Sequence, residues 1–374
     1  MIYMDNSATS YPKPPRVLKA TKKAIEKYAF NVGRNASASA LMSANALFDA
    51  RCAIATLVGT QPENIVFTYN ATYALNMAIL GLAGGKASIA TDRFAHNSVL
   101  RPLYFLRSKG HSVHFLDTDA EHDRVIIASL KKLLLKEKID LLVLTHTSNT
   151  TGKVLPIRRL ADMAHAKGAT VILDASQGIG SSNVDLELLG VDILASSGHK
   201  GLYGMMGTGF LAIREGFRGD IVPIITGGSG IFSGSHNMPD GFPERLEAGT
   251  VGLPGAISMG EGARFITQEG IESIAEHERD LRSVLLSGLS VIPKVVLLNE
   301  NVNANSIILF NVKNKPSEIL AQKLDEYGIV GRAGYHCAPL AHRILSNLNP
   351  DYDGALRLSV GYIVGHRYAV GLSI

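Results

Sequence analysis

From about residue 15 to 260 the chain alternates short apolar runs with longer stretches of helical spacing. The runs Ile65-Val66-Phe67, Ser88-Ile89-Ala90, Val113-His114-Phe115, Leu141 to Leu144, Val171-Ile172-Leu173, Ile193-Leu194-Ala195 and Phe210 to Ile213 are predicted strands. Between them lie predicted helices such as Ile157 to Lys167, which Gly168 closes. Short, wholly apolar strands separated by helices predict an α/β fold, with a mostly parallel sheet covered on both faces. Ligands of such sheets collect at the carboxyl ends of the strands. Beyond residue 260 the pattern changes to a helix, strands near Val295 to Leu297 and Ile307 to Phe310, and a helix from Ser317 to Tyr327. The expected organisation is a large domain over 14–260 and a small α+β domain over 261–374, with residues 1–13 packing on the small one.

Composition narrows the function. A chain of 374 residues with 46% hydrophobic content and 37 glycines fits a compact, loop-punctuated enzyme. The net charge of +4 comes with no Lys/Arg block and no aromatic-basic ladder, so no nucleic-acid partner is expected. No uninterrupted apolar run nears the roughly 18 residues of a membrane span, and no membrane partner is expected. Met1 to Asp5 shows neither a basic region nor an apolar signal core. The two cysteines, Cys52 and Cys337, are far apart and form neither a disulfide framework nor a metal-ligand spacing. A cytoplasmic location and no metal are expected.

Polar residues cluster where the strands end. Val171 to Leu173 runs into Asp174, with Ser176 and Gln177 behind it. A carboxylate there needs a cation or a hydrogen-bonded partner, or else serves as a helix cap. Leu141 to Leu144 ends in the polar loop Thr145 to Gly152, which could be a turn alone. Val66 to Thr68 leads to Tyr69-Asn70-Ala71-Thr72 and a helical stretch, where Thr72 suits either a plain cap or an anion site. Val191 to Leu194 leads into "ASSGHKGLYG", where Lys200 stands among small residues. An isolated lysine is ordinarily a solvated surface charge; a desolvated one forms a Schiff base with a carbonyl group.

Taken in this order, these motifs resemble the class V aminotransferase branch of the pyridoxal-phosphate enzymes, and within it the cysteine desulfurases and selenocysteine lyases. The resemblance runs from "YMDNSATSYPKPPRVLKA" to "LRLSVGY", nearly the whole chain. It implies the aspartate-aminotransferase-like fold and pyridoxal 5'-phosphate as cofactor. By this resemblance Lys200 holds the cofactor covalently and acts as base at the substrate Cα, and Asp174 pairs with the pyridinium nitrogen. Gln177 and Asn149 would bond the ring's phenolic oxygen, and His96 would stack on the ring. Thr72, Ser197, His199 and the backbone of Ala71 would hold the phosphate. Thr250, in "RLEAGT", would reach the phosphate in a second subunit, which implies a homodimer.

The cofactor alone does not name the reaction. In "GRAGYHCAPLAHR", Cys337 lies between Arg, His and Gly residues that suit a partly exposed, nucleophilic thiol rather than a packed apolar cysteine. Cys52, in an alanine-rich helical stretch, is expected to be such a packed residue. The Cys337 stretch resembles the Arg-x-Gly-x-His-Cys-Ala segment of desulfurases with a short catalytic loop. Their thiolate takes sulfur from L-cysteine, leaving a persulfide and L-alanine, and a protein sulfur acceptor follows. Arg357, among apolar neighbours, matches the arginine that clamps the substrate carboxylate, with Asn149 beside it. His336 and His342 receive no catalytic role, and either could serve only to shape the loop. The chain departs from the pattern at Ala95, at Gly204-Met205-Met206-Gly207, and after Tyr362, where 363–374 lacks a helical charge pattern and is expected to be truncated or rearranged. The resulting expectation is a cysteine desulfurase. The alternatives are a selenocysteine lyase, another class V enzyme (aminotransferase, epimerase or C–S lyase), and a non-catalytic relative acting as a binding subunit.

Overall fold

A computed structural model describes residues 1–32, 37–231, 233–304, 306–346 and 354–363. The expectation for the segment after Ile363 therefore lies outside the described residues.

A seven-stranded sheet forms the centre. In spatial order its strands are Ile65–Thr68, Gly209–Ile213, Ile193–Ser197, Thr170–Asp174, Leu141–Thr145, Ser88–Thr91 and Ser112–Phe115. All seven predicted runs form these strands. Only Gly209–Ile213 runs antiparallel to both of its neighbours; the other pairings are parallel. Side chains alternate between two cores, because successive residues of a strand face opposite ways. Leu142, Leu144, Val171, Leu173, Leu194, Phe210 and Ala212 pack into one core. Leu141, Val143, Ile172, Ile193, Ala195, Leu211 and Ile213 pack into the other. Every strand in the middle is thus buried on both faces, which is why its sequence shows no polar alternation.

A four-stranded antiparallel sheet follows, in the order Arg332–Gly334, Ala355–Ser359, Ile307–Val312 and Val295–Leu297. Its own core includes Leu281 and Leu285 of the helix Ile271–Ser290. The preceding helix, Leu253–Glu269, runs through residue 260, and the chain turns at Gly270, where φ is +87°. The N-terminal segment bridges the two sheets. Ile2–Tyr3 pairs in parallel with Ile329–Val330, and Met4 O accepts from Ser359 N at 2.7 Å. Further along, Ser10 N donates to His199 O at 3.0 Å. Residues 1–13 therefore touch the small sheet at one end and the lysine loop at the other.

The helix Ala38–Val58 is long and apolar enough to cross a membrane by length and composition. Its inward residues Leu47, Ala50, Ile54 and Val58 belong to the main core, and Arg51 at its middle is ion-paired. Arg51 Nη1 and Nη2 meet Glu247 Oε1 and Oε2 at 2.7 and 2.5 Å, and Nη1 also donates to Ile65 O. Phe67 N donates to the same carboxylate at 2.5 Å. Burial pushes the Glu247 carboxyl up, against the opposing pull of Arg51. Replacing Arg51 by Leu strands Glu247 and is expected to cost about 3–5 kcal/mol of unfolding free energy. The loss should shrink as the pH falls and Glu247 takes up a proton. Denaturant titration of Arg51→Leu at two pH values checks both statements.

Candidate active site

The carboxyl ends of the parallel strands and two helix N-termini enclose a cavity of about 170 Å³. Thr145 and Asp174 sit side by side in register at the ends of their strands, and Asp174 pairs with Ala195 on the next. One buried carboxylate organises this edge from behind. Asp92 Oδ1 and Oδ2 accept from Phe94 N and Thr145 N at 2.8 and 2.7 Å. Desolvation raises the Asp92 carboxyl to about 6 despite these bonds. Nothing in the sequence around Asp92 singled it out, because its role depends on Thr145, 53 residues away in the chain.

Lys200 follows Ile193–Ser197 by three residues and lines the cavity. Gly201 is sterically required by neighbouring backbone, and Gly198 is crowded by two side chains. A Cβ on Gly198 would lie 2.2 Å from Thr208 Oγ1, and one on Gly201 would lie 2.0 Å from Ile179 O. The peptide before the lysine is held by the N-terminal segment. His199 O accepts from Ser10 N at 3.0 Å, Thr9 Oγ1 at 3.1 Å, Ser10 Oγ at 3.2 Å and Lys13 Nζ at 2.7 Å. Desolvation lowers the Lys200 amine from its ordinary 10.5 to about 8. The Asp174 carboxylate opposes that shift, while Arg357 and Arg332 add to it.

The cavity gathers Ala71, Thr72, His96, Asn149, Asp174, Gln177, Ser197, His199 and Lys200, nine of the residues singled out by sequence. It adds Ser98, Thr145, Thr147 and Ser176, which lie in the same motifs but carried no separate signal. Asp174 does not cap a helix: residues 176–180 form turns, and Asp174 Oδ1 accepts from Ser176 N at 3.0 Å. The helix Ala71–Leu82 is capped by Asn70, which accepts from Tyr73 N at 2.9 Å, so Thr72 lies within the first turn. Thr72 Oγ1 stands 2.7 Å from Ser98 Oγ. His96 caps the helix Asn97–Ser108, its Nδ1 accepting from Ser98 N at 3.0 Å. That bond leaves the proton on Nε2. Burial, with Lys200 adding, lowers His96 to about 4; burial with Lys200 and Lys13 does the same for His199. Both rings are neutral at neutral pH.

Several buried polar atoms of the wall have no partner in the protein: Ser197 Oγ, His199 Nδ1, Ser176 Oγ and Asn149 Oδ1. Unsatisfied atoms at this density call for a polar ligand. Ser197 and His199 share the wall with the N-terminus of Ala71–Leu82, whose free N–H groups favour an anion. Asp174 offers a carboxylate to a cationic ring, and Lys200 offers an amine to a carbonyl. The wall therefore fits a planar aldehyde that carries a phosphate and a basic ring nitrogen.

Three predicted residues lie off this wall. Arg357 is buried at 1% exposure in the small sheet. Its Nη1 donates to Asn149 O at 2.7 Å and its Nη2 to Asp5 Oδ1 at 2.7 Å, while Nε has no partner. Cys337 is exposed, on the loop before the helix Pro339–Ser346. Asn149 Nδ2 donates to His336 O at 2.6 Å and Asn97 N to Cys337 O at 2.8 Å, so the thiol loop is tied to the cavity rim. Arg332 Nη2 donates toward Cys337 Sγ at 3.6 Å. His336 and Cys337 both adopt left-handed backbone, with φ of +48° and +59°, at a cost of roughly 1–2 kcal/mol each. Thr250 is exposed and lines a separate cleft with Tyr69, Tyr73 and Gly207, so within one chain it does not reach the cavity. Cys52 is half-buried rather than fully packed, since the buried face of its helix is made by Ala50, Arg51, Ile54 and Ala55.

The depressed Lys200 amine gives a direct prediction. Capture of an aromatic aldehyde by Lys200, trapped with borohydride and followed across pH, should rise through a midpoint near 8, not near 10.5. Asp174→Asn removes the charge that favours the protonated amine, so the midpoint should move lower still.

Residues 2–366 match the aminotransferase class-V family. A probable cysteine desulfurase of Methanothermobacter thermautotrophicus is 31% identical over 365 residues, covering 96% of this chain and 90% of the relative. One from Pyrococcus abyssi is 32% identical over 359 residues, covering 93% and 88%. Among solved structures, the apo cysteine desulfurase of Thermococcus onnurineus superimposes with a TM-score of 0.88 at 31% identity, covering 99% of this chain and 92% of that one. The cysteine desulfurase CsdA of Escherichia coli, in its S-sulfonic acid form, gives 0.85 at 26% identity, covering 99% and 92%. With fold, strand-end motifs and relatives in agreement over nearly its whole length, the chain belongs to the class-V aminotransferase family, in its cysteine desulfurase branch.

Proposed function

We propose that this protein is a cysteine desulfurase that binds pyridoxal phosphate in the Lys200 cavity and moves the sulfur of L-cysteine onto Cys337. Enzymes of the family depend on this cofactor in general. The observation that carries the reading is the exposed Cys337 thiol, tied by Asn149 and Asn97 to the rim of a cavity that also holds a depressed lysine amine.

Ser197, His199, Thr72 and the first turn of Ala71–Leu82 would hold the phosphate. Asp174 would face the ring nitrogen, Gln177 and Asn149 would face the phenolic oxygen, and neutral His96 would cover the ring. When bound, pyridoxal phosphate supplies an electron sink for charge developing at the substrate Cα. Lys200 Nζ moves the proton at that carbon, and an amine near 8 can take and return it at neutral pH. Arg357 keeps unused N–H groups beyond those given to Asn149 and Asp5, and these would orient the substrate carboxylate. Cys337 Sγ takes the substrate sulfur as its C–S bond breaks, and L-cysteine leaves as L-alanine. The persulfide on an exposed loop then faces an external sulfur acceptor.

A homodimer belongs to the same reading. Thr250 stands away from its own cavity, in a cleft with the exposed Tyr69, at 58%, and with Gly207, whose chain neighbour Met206 is 72% exposed. A second copy would cover these side chains and bring Thr250 to a neighbouring site.

Cys337→Ser should keep cofactor absorbance and lose persulfide and alanine formation from L-cysteine, because the hydroxyl is a poor acceptor of sulfur. Alanine release at the wild-type rate would refute the mechanism. Met206→Asp should shift the protein toward monomer in sedimentation and weaken cofactor retention. A variant still dimeric, with unchanged retention, would place the interface elsewhere.

A further inference from the structure

Behind the thiol lie two histidines that the proposed reaction does not use. His336 and His342 are 3% and 1% exposed, with ring centroids 5.2 Å apart and planes inclined by 25°. Their ring nitrogens meet, His336 Nδ1 to His342 Nε2, at 3.1 Å. The direction of that bond follows from the other end of His336. Its Nε2 stands 3.0 Å from Arg332 O, which can only accept, so Nε2 carries the proton. The neutral ring then has a bare Nδ1, and His342 Nε2–H must donate to it. A second proton on His336 would set two N–H groups against each other. Burial, with Arg357 adding, prevents this by lowering His336 to about 3 and His342 to about 4.

The pair spans three elements. His342 belongs to the helix Pro339–Ser346, His336 to the loop, and Arg332 to the strand Arg332–Gly334. The His336 side chain thus braces the helix against the strand, across the turn where His336 and Cys337 are left-handed. The loop carbonyls are held from the cavity side by Asn149 and Asn97. On the other side the His336 ring is held at both nitrogens, by His342 at Nδ1 and by the Arg332 carbonyl at Nε2. Without the His342 donor, His336 keeps a single anchor, at Arg332 O, and two non-glycine residues are held less firmly in a backbone conformation they disfavour.

We infer that His342 is a positioning residue for the nucleophile: by donating Nε2–H to His336 it keeps the Cys337 turn left-handed and so fixes where Sγ stands. The inference rests on the reading of Cys337 as sulfur acceptor, yet the geometry of the thiol can be measured without any turnover.

The test compares His342→Leu, which has no donor, with His342→Gln, whose Nε2 can replace the lost one. His342→Met repeats the apolar comparison should the leucine variant not fold. All are made in full-length, cofactor-loaded protein carrying Cys52→Ala, so that Cys337 is the sole thiol. Two readouts are taken: the rate of Cys337 alkylation by iodoacetamide, and kcat and KM for L-cysteine. The apolar variants should change the alkylation rate several-fold and lower kcat about ten- to a hundredfold, with KM nearly unchanged, as for a reacting group misplaced by about 1 Å. His342→Gln should restore both readouts most of the way. Alkylation that follows this order in a protein without cysteine turnover would support the inference and sink the proposed function instead. Apolar variants matching wild type in both readouts, or a glutamine variant as impaired as the leucine one, would overturn it.

Discussion

Stripping water from one lysine amine, without surrendering it to an ion pair, is the demand around which this molecule is arranged. An amine desolvated alone loses its proton too easily, and one fixed to a carboxylate keeps it. Here Asp174 acts on Lys200 across the cavity while two arginines act against it, and desolvation has the largest share. The balance needs the lysine backbone to approach the sheet edge closely, hence the glycines on either side. It also needs the preceding peptide to stay still, and the N-terminal segment sees to that with four donors on the His199 carbonyl.

The same segment joins the layers through Asp5. Arg357 is fully buried, and a buried guanidinium without a counter-charge would be costly. Asp5 supplies that charge, while the Asn149 carbonyl takes the other amino group. The arginine proposed to meet the substrate is therefore fixed from two sides before any substrate arrives. Asn149 is central to this geometry: its carbonyl holds Arg357, its side-chain amide holds the thiol loop, and its Oδ1 is left for a ligand. The arginine and the thiol loop are thereby coupled through one residue.

The thiol loop carries strain of its own. Two consecutive left-handed residues, neither a glycine, persist only where their surroundings over-determine them. Asparagine bonds on one side and the stacked histidines on the other provide that constraint. A thiol on such a turn remains exposed to a sulfur acceptor while its backbone is held.

Local signals were enough to read the layered sheet and the wall of the cavity. Each central strand is short and apolar throughout, because both its faces are buried, and each motif begins where such a strand ends. Asp174 and Lys200 were legible for that reason, as polar residues at or just beyond a buried strand's carboxyl edge, whereas Asn149 and Ser197 were singled out through the family resemblance. Partnerships between distant parts of the chain were not legible. Asp5 with Arg357, Asp92 with Thr145 and Gln177 with Ser7 are pairings across up to 352 residues, and no local pattern encodes them. Thr250 shows the same limit, since its own chain leaves it outside the cavity. His336 and His342 were visible as residues six apart, but only the turn between them brings their rings together and decides which nitrogen holds the proton. Sequence by itself determined which groups stand at the ends of the strands, because burial and chain periodicity are local. Tertiary structure decided which of them share a bond, a charge or a proton, because those depend on distances that only the folded chain creates.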